Sequence, residues 1–169
     1  QPDLQGIDYP KTIIVEEKIV RNKSIGPHAE FSAHVLSKNG KHSIIGYSEK
    51  FLGKDCLEIG HVFPSVNIPK HYLSIAEKVI TDWLDNLEVK TCISNWEFII
   101  TDDDKLAMVE VQLRPSGDTL MDVIDASIGI NPFKLLIDEA DSDCLESHPT
   151  FKSHCWGESL RTSACGDQT

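Results

Sequence analysis

The sequence has no run of about 18 apolar residues, the minimum length for a membrane-spanning helix. Its first residues lack the charged and then apolar order of a signal peptide, so we expect a cytoplasmic protein without a membrane partner. Basic side chains are scarce: 16 Lys and Arg stand against 27 Asp and Glu, a net charge of −11. Nucleic acids and anionic membranes bind basic patches, so neither is expected as a main partner. An acidic chain can still bind phosphates where a divalent cation lies between them.

Cysteine is also sparse, and the five residues do not follow the close paired spacing of zinc sites or disulfide frameworks. We therefore expect free thiols in a reducing compartment. The alternative is a metal cluster near the C-terminus, formed by Cys144, His148, His154, Cys155 and Cys165. With 169 residues, the chain is long enough for one globular domain. Because the first residue is Gln1 and not Met, we expect further sequence before it.

The pattern of apolar residues predicts strands first and helices later. Residues 1–11 carry two prolines and are expected to form a loop, and strands are predicted over 12–20, 29–38 and 42–52. Asn39-Gly40 joins the last two as a hairpin, the strongest short-range signal of this kind. An amphipathic helix is predicted over 69–87, two further strands over 94–101 and 105–113, and helices over 118–128 and 132–140.

These elements indicate an α+β domain, with an antiparallel β-sheet covered by helices on one face and a ligand against the other. Gly129 is expected to end the helix over 118–128, and Asn131 to cap the next helix. Residues 141–169 contain few aliphatic side chains and cannot add much to a core. We interpret them as a mobile polar tail or as the edge of a following domain.

The strands over 94–113 are predicted to pair about the polar tip at 102–105. Symmetric pairing places four residue pairs on one face: Asn95 with Gln112, Glu97 with Glu110, Ile99 with Met108, and Thr101 with Leu106. The opposite face is apolar and comprises Trp96, Phe98, Ile100, Ala107, Val109, Val111 and Leu113. One face of this hairpin therefore suits a core, and the other carries a polar cluster.

Two carboxylates directly opposite each other destabilise a strand pair unless something compensates their charge. Mg²⁺ is a natural partner, because it is typically held by one or two carboxylates together with substrate phosphates. Arg114 continues the same face and offers a planar cation suited to phosphate or carboxylate. Gly117 and Asp118 follow at the predicted start of a helix, where backbone N–H groups favour an anion. The alternative is a solvated hairpin face on which these are ordinary surface charges.

The same residues carry a resemblance to a known family. Glu97, followed 13 residues later by the sequence EVQLRPSGD over 110–118, resembles the C-terminal metal-binding segment of the ATP-grasp superfamily. The resemblance is closest to L-amino-acid (dipeptide) ligases and carnosine-synthase-like enzymes. It implies that Glu97, Glu110 and Gln112 are metal ligands and that Arg114 is catalytic. The family pattern has Asn at the position of Gln112, whose amide oxygen lies one methylene further from the backbone.

Other landmarks follow in the order that this family implies. A segment that resembles the hinge strand, whose backbone binds adenine, contains Glu16, Glu17, Lys18 and Ile19. Glu30 resembles the acidic residue that binds the ribose hydroxyls, and His61 resembles a substrate-side histidine of the dipeptide-ligase branch. The resemblance implies that His61, Gly117 and Asp118 hold the substrate carboxylate. It extends over 12–140 and implies the C-terminal subdomain of an ATP-grasp fold.

The resemblance implies an ATP-dependent carboxylate–amine ligase that acts on amino acids or peptides through an acylphosphate, with Mg²⁺ or Mn²⁺ as the metal. The family's phosphate-binding lysines and Gly-rich lid would precede Gln1, so the isolated chain is expected to be inactive. ATP and a small carboxylate or amine are the expected partners, and the oligomeric state stays open, with a homodimer as one option. The alternatives are a non-catalytic nucleotide-binding half-domain, an ATP-grasp carboxylase or nucleotide-biosynthesis ligase, and a β-rich interaction domain with no nucleotide site.

Overall fold

The computed structural model describes residues 13–53, 58–117, 119–129, 131–141 and 155–158. The strands are β1 (Glu30–Lys38), β2 (Lys41–Leu52), β3 (Glu58–Phe63), β4 (Cys92–Ile100), β5 (Leu106–Gln112) and β6 (Cys155–Glu158). The helices are α1 (Lys70–Asn86), α2 (Leu120–Ile128) and α3 (Pro132–Asp141), and a short 3₁₀ turn spans Gly26–Ala29. None of the helices in these ranges is long and apolar enough to cross a bilayer.

The strands form a single antiparallel sheet in the order β5-β4-β1-β2-β3-β6. The predicted Asn39-Gly40 hairpin is confirmed, because these two residues connect β1 to β2 with positive φ angles of 50° and 75°. Such a two-residue turn has the twist that antiparallel strands require. The α+β class with an antiparallel sheet is therefore confirmed.

The larger core lies between α1 and one face of the sheet. The helix buries Tyr72, Ala76, Ile80 and Leu84, which recur every fourth residue and so share one side of the helix. They pack against alternate residues of β1 and β4: Phe31, Ala33, Val35, Trp96, Phe98 and Ile100. Burying each of the large side chains contributes about 1.5–3 kcal/mol, so this layer holds α1 on the sheet.

A second core lies against the opposite face of the sheet, where α2 packs. It contains Leu120, Met121, Val123, Ile124 and Ile128 of the helix together with Ile45 and Phe63, and Leu36 lies at its margin. The helices are thus divided between the two faces, whereas the sequence analysis expected them on one. The physical reason is the apolar area that Leu36 and Phe63 add to the second face, which α2 removes from water.

Both predicted helix signals near residue 130 are confirmed. Gly129 has a φ of 73° and donates its backbone N–H to the carbonyl of Asp125, which ends α2 in a left-handed residue. The side chain of Asn131 accepts hydrogen bonds from the backbone N–H groups of Phe133 and Lys134 at 3.0 and 3.1 Å. Asn131 therefore caps α3.

The register of the β4–β5 hairpin agrees with the prediction at one end only. Asn95 faces Gln112 and Glu97 faces Glu110, as predicted, but a bulge follows Glu97. The predicted pairs of Ile99 with Met108 and Thr101 with Leu106 are wrong: Ile99 faces Ala107, and Ile100 faces Leu106. A bulge adds one residue to one strand and reverses the alternation beyond it. Consequently Leu106 and Met108 pack on the core, whereas Val109 and Leu113 are half exposed.

The predicted strand over 12–20 is not formed. Residues 13–20 lie in no regular element, and Ile13, Ile14 and Val15 are about 85% exposed. Within the described ranges, the chain reaches the sheet only at Val20 and Arg21. The carbonyl of Val20 accepts a hydrogen bond from the backbone N–H of Asp102, and Arg21 forms an isolated antiparallel β-bridge with Thr101. A strand requires a neighbour along its length, and within the described ranges this segment has one only at its end.

The C-terminal segment contains a strand that its polar composition does not predict. Residues 155–158 form β6, which pairs with the edge strand β3 from Gly60 to Phe63. The ladder consists of main-chain hydrogen bonds, which need no aliphatic side chains. The rest of the predicted tail, 142–154 and 159–169, lies outside the described residues, and so do all members of the alternative metal cluster except Cys155, which begins β6. Cys92 is a free thiol.

Candidate functional site

The sheet face beside α2 carries a contiguous set of polar side chains, which we call the polar face. Alternation along the strands and the observed register bring its members together from five strands. Its members are Glu30, Ser32, His34, Ser48, Lys50, Glu58, His61, Asn95, Glu97, Glu110 and Gln112. The polar face therefore includes Glu30, His61, Glu97, Glu110 and Gln112, which the sequence analysis singled out from separate stretches of the chain.

Glu97 and Glu110 lie opposite each other on β4 and β5. Each carboxylate accepts a hydrogen bond from an amide two residues away on its own strand. Asn95 Nδ2 donates to Glu97 Oε1 at 3.2 Å, and Gln112 Nε2 donates to Glu110 Oε1 at 2.6 Å. These donors offset part of the repulsion between the two carboxylates.

Lys50 supplies the cation at this pair. Its Nζ lies 2.6 Å from Glu97 Oε2 and 3.3 Å from Glu58 Oε2. Only 7% of the residue is exposed. Burial by itself lowers the pKa of Lys50, but the hydrogen bond and charge of Glu97 and the charge of Glu58 outweigh it, and the net shift is upward. Lys50 is therefore positively charged at neutral pH.

His61 joins this network through Glu58. Its Nε2 lies 2.6 Å from Glu58 Oε1, and the residue is buried. Burial raises the pKa of Glu58, but the hydrogen bonds and charges of His61 and Lys50 outweigh burial and hold the pKa below its ordinary value. The carboxylate is therefore ionised at neutral pH. Glu58 thus links Lys50 and His61, and the three side chains hold one another in place.

His34 is a neutral member of the polar face. Burial above all, with the nearby charges of His61 and Lys50, lowers the pKa of His34 to about 3. Its Nε2 lies 2.9 Å from Ser48 Oγ. His34 therefore adds no positive charge at neutral pH.

Several buried polar atoms of the polar face have no hydrogen-bond partner among the described residues. They are Ser32 Oγ, Asn95 Oδ1 and His61 Nδ1. Buried polar atoms in folded proteins are nearly always paired with protein, water or a ligand. Water or a bound polar group would satisfy these three atoms.

Glu30 and Arg114 pair with groups outside the network of Lys50, Glu58, His61 and Glu97. Glu30 begins β1 on the polar face and is paired with Arg21, Oε2 to Nη2, at 2.8 Å. Arg114 is exposed, and its Nη1 donates to the carbonyl of Pro115 at 2.9 Å; across the described ranges it makes no ion pair with Glu97 or Glu110.

The predicted binding residues of the hinge and of the segment before α2 do not lie in strands or helices, as far as the structure describes them. The hinge residues Glu16, Glu17, Lys18 and Ile19 are exposed and lie outside the sheet. Gly117 is exposed, with open space where a side chain would be. Asp118 lies outside the described residues.

Glu97, Glu110 and Gln112 offer oxygen ligands of the kind that Mg²⁺ prefers. In the part of the chain that the structure describes, no three His, Cys, Asp or Glu side chains form a group that could hold a metal by themselves. This donor set still fits Mg²⁺, because that ion commonly uses one or two carboxylates and takes its other ligands from phosphates and water.

Sequence reasoning missed Lys50, Glu58 and the orienting role of Asn95. Lys50 belongs to a long strand pattern, and nothing in its spacing to Glu97 links the two. The only available signal was alternation, which puts Lys50 and Ser48 on one face of β2. Which strand lies beside which is a tertiary property, and it decides these contacts.

No protein-family model matches the sequence, and no curated protein matches it significantly. Solved structures do match the fold. The biotin carboxylase–β,γ-ATP complex from Campylobacter jejuni superposes with a TM-score of 0.63 and 12% identity, over 75% of this chain and 28% of that one. The biotin carboxylase domain of the 2-oxoglutarate carboxylase from Hydrogenobacter thermophilus, in complex with MgADP, ADP and bicarbonate, superposes with a TM-score of 0.61 and 14% identity. The match covers 75% of this chain and 28% of that one.

The L-amino acid ligase from Bacillus licheniformis gives a TM-score of 0.56 and 22% identity, over 68% of this chain and 29% of that one. These enzymes thus share with this chain the fold of its antiparallel sheet. They are ATP-grasp enzymes, and this chain has the fold of a subdomain of that superfamily. The predicted resemblance is confirmed in the fold. The chain spans less than a third of the length of the structures that it matches.

Proposed function

We propose that this chain is the ATP- and Mg²⁺-binding part of an ATP-grasp ligase that joins a carboxylate to an amine through an acylphosphate. The observation that carries the proposal is the facing pair Glu97 and Glu110, with Gln112 beside it, on the polar face of an ATP-grasp fold. Solved relatives of this fold hold an ATP analogue in one case and MgADP in another.

Glu97, Glu110 and the amide oxygen of Gln112 would hold the metal in this proposal, either Mg²⁺ or Mn²⁺. When bound, the metal supplies positive charge against the β- and γ-phosphates. The protein's own residues prepare that site. Asn95 and Lys50 each engage one oxygen of Glu97, which limits the orientations that the carboxylate can adopt.

The other residues have distinct proposed roles around the nucleotide. The backbone of 16–19 would bind adenine, and Glu30 would bind the ribose hydroxyls once it exchanges its contact with Arg21. Arg114 would leave the carbonyl of Pro115 and stabilise negative charge on the transferring phosphoryl group. His61, Gly117 and Asp118 would hold the substrate carboxylate, with His61 oriented by Glu58.

The proposed organisation is a loop over 1–11, an ATP-grasp C-terminal subdomain over 12–140 and a polar tail over 141–169. Amino acids or peptides are the proposed substrates, and the similarity to an L-amino acid ligase supports this choice. A carboxylase is the second candidate, because the biotin carboxylases superpose with higher TM-scores than that ligase. A half-domain that binds nucleotide without catalysis would use the same polar face.

The experiment that tests the proposal is an ATP titration of the protein with and without Mg²⁺, followed by tryptophan fluorescence. We expect Glu110→Gln to weaken Mg²⁺-dependent ATP binding at least about tenfold. Replacing a residue that only orients a metal ligand already lowers metal affinity by about tenfold or more, and replacing the ligand itself should lower it further. Glu77→Gln is the matched control, since Glu77 is exposed on α1 and remote from the polar face. Equal ATP affinities for Glu110→Gln and the unmodified protein in Mg²⁺ would contradict the metal assignment.

A further inference from the structure

Lys50 is a buried cation in contact with one of the proposed metal ligands. It is 7% exposed, and its ammonium lies 2.6 Å from Glu97 Oε2 and 3.3 Å from Glu58 Oε2. A buried ammonium is stable only when it is paired, and these two carboxylates pair it. The ammonium therefore already occupies one side of Glu97 in the protein without nucleotide.

Carboxylates surround Lys50 on the polar face. Glu30, Glu58, Glu97 and Glu110 belong to the polar face, and Arg21 offsets Glu30. Of these carboxylates, Glu97 and Glu58 contact the ammonium directly. Without Lys50, the carboxylates of Glu97 and Glu110 would have, among the described residues, the amides of Asn95 and Gln112 as their close donors.

A divalent cation at Glu97 would meet the ammonium of Lys50 within a few ångströms. Two positive charges so close repel each other even in a medium with the dielectric constant of water. Lys50 would also have to give up its hydrogen bond to Glu97 or share that oxygen with the metal. Both effects weaken metal binding, and neither depends on nucleotide.

We propose that Lys50 is an internal counter-cation of Glu97 that keeps the affinity for divalent metal low in the nucleotide-free protein. The metal then binds stably only together with phosphates, whose negative charge offsets the ammonium. This inference rests on the proposed metal site at Glu97 and Glu110. It assigns Lys50 as a residue that determines when the metal binds, and not as a catalytic residue.

The test is a Mn²⁺ titration of the nucleotide-free protein, in which electron paramagnetic resonance measures the free ion. We expect Lys50→Met, which keeps the length and removes the charge, to bind Mn²⁺ at least about tenfold more tightly. Lys50→Arg is the matched control and keeps the affinity of the unmodified protein, because it keeps the charge. Unchanged or weaker Mn²⁺ binding by Lys50→Met would overturn the inference.

Lys50→Met leaves two carboxylates without a cation and can lose its fold, so circular dichroism accompanies the titration. An unfolded variant that refolds on addition of Mn²⁺ supports the inference, because the metal then replaces the ammonium. A variant that stays unfolded in millimolar Mn²⁺ overturns it. The added readout is independent of any enzymatic activity.

The combination with Glu110→Gln separates the two proposals. If the tight Mn²⁺ site of Lys50→Met disappears in Lys50→Met/Glu110→Gln, both the metal site and the role of Lys50 are supported. If Glu110→Gln weakens Mn²⁺–ATP binding but Lys50→Met leaves Mn²⁺ affinity unchanged, the role of Lys50 fails and the metal site stands. If Glu110→Gln changes neither Mn²⁺–ATP binding nor the Mn²⁺ affinity of Lys50→Met, the metal site itself fails.

Discussion

Replacing Glu49 should destabilise the protein more than replacing any exposed carboxylate. Glu49 lies on β2, on the sheet face that packs against α1, and is fully buried. Oε1 accepts from the backbone N–H groups of Val66 and Asn67 at 2.7 and 2.8 Å and from Ser65 Oγ at 3.1 Å. Oε2 accepts from Asn67 Nδ2 at 3.0 Å and lies 2.5 Å from His28 Nδ1. One carboxylate thus ties β2 to the segment before α1 and to the 3₁₀ turn.

The expected cost follows from these contacts. Hydrogen bonds to a charged group contribute about 1.5–3 kcal/mol each, but Val66 and Asn67 are exposed enough to recover part of that from water. We therefore expect Glu49→Ala to lower the free energy of unfolding by about 3–5 kcal/mol, because several hydrogen bonds to one buried carboxylate are lost together. Glu49→Gln keeps the acceptor for the two backbone groups and should lose less, about 1–3 kcal/mol.

The assay is urea unfolding at pH 7, followed by circular dichroism and tryptophan fluorescence. Glu77→Ala is the control, since Glu77 is exposed and its loss should change stability by no more than about 0.5 kcal/mol. A loss of less than about 1 kcal/mol in Glu49→Ala would refute the reasoning, because one hydrogen bond alone exceeds that on average.

The same carboxylate should contribute to the pH dependence of stability. Burial raises the pKa of Glu49, but the hydrogen bonds from Asn67, Val66 and His28 outweigh it and lower the pKa below its ordinary value. A group with a lowered folded pKa stabilises the fold above its unfolded pKa, about 4.3. That stabilisation is lost as the pH falls through the folded pKa. The stability of Glu49→Ala should therefore fall less steeply below about pH 4 than that of the unmodified protein.

Three further substitutions test the packing at Gly46 and the cap of α3. A Cβ at Gly46 would lie 2.5 Å from the ring of Phe63, so Gly46→Ala should cost about 1–3 kcal/mol in thermal unfolding. Gly117→Ala, where no atom lies within 4 Å, should leave stability unchanged, and equal effects at the two glycines would contradict the packing argument. Asn131→Ala should cost about 0.5–2 kcal/mol, because it removes the cap of α3. The loss should appear as reduced amide protection at Phe133 and Lys134, and unchanged exchange there would argue against the cap.

Local signals in the sequence predicted most of the elements. Asn39-Gly40 predicted its hairpin, since few other residue pairs adopt two positive φ angles easily. Gly129 and Asn131 predicted the end of one helix and the start of the next. These signals succeed because they depend on backbone conformation and on neighbours within a few residues.

The predictions that failed depend on longer-range pairing. The bulge opposite Glu97 and Phe98 moves Met108 and Leu106 of β5 to the core face, and no residue type in the hairpin marks its position. The apolar pattern over 12–20 resembles a strand, but a strand forms only where a partner lies alongside. In β6 the reverse holds, because β3 provides an edge for a segment of polar composition.

By itself, the sequence determined the antiparallel pairing of Glu97 with Glu110, since strand alternation and a short turn place these residues opposite each other. Only the tertiary structure decided what surrounds them. Lys50 approaches from β2, two strands away from β4, and brings Glu58 and His61 with it from β3. The order of strands in a sheet depends on how whole elements bury their apolar faces, and adjacent residues do not encode it. The electrostatics of the polar face are therefore a property of the assembled sheet.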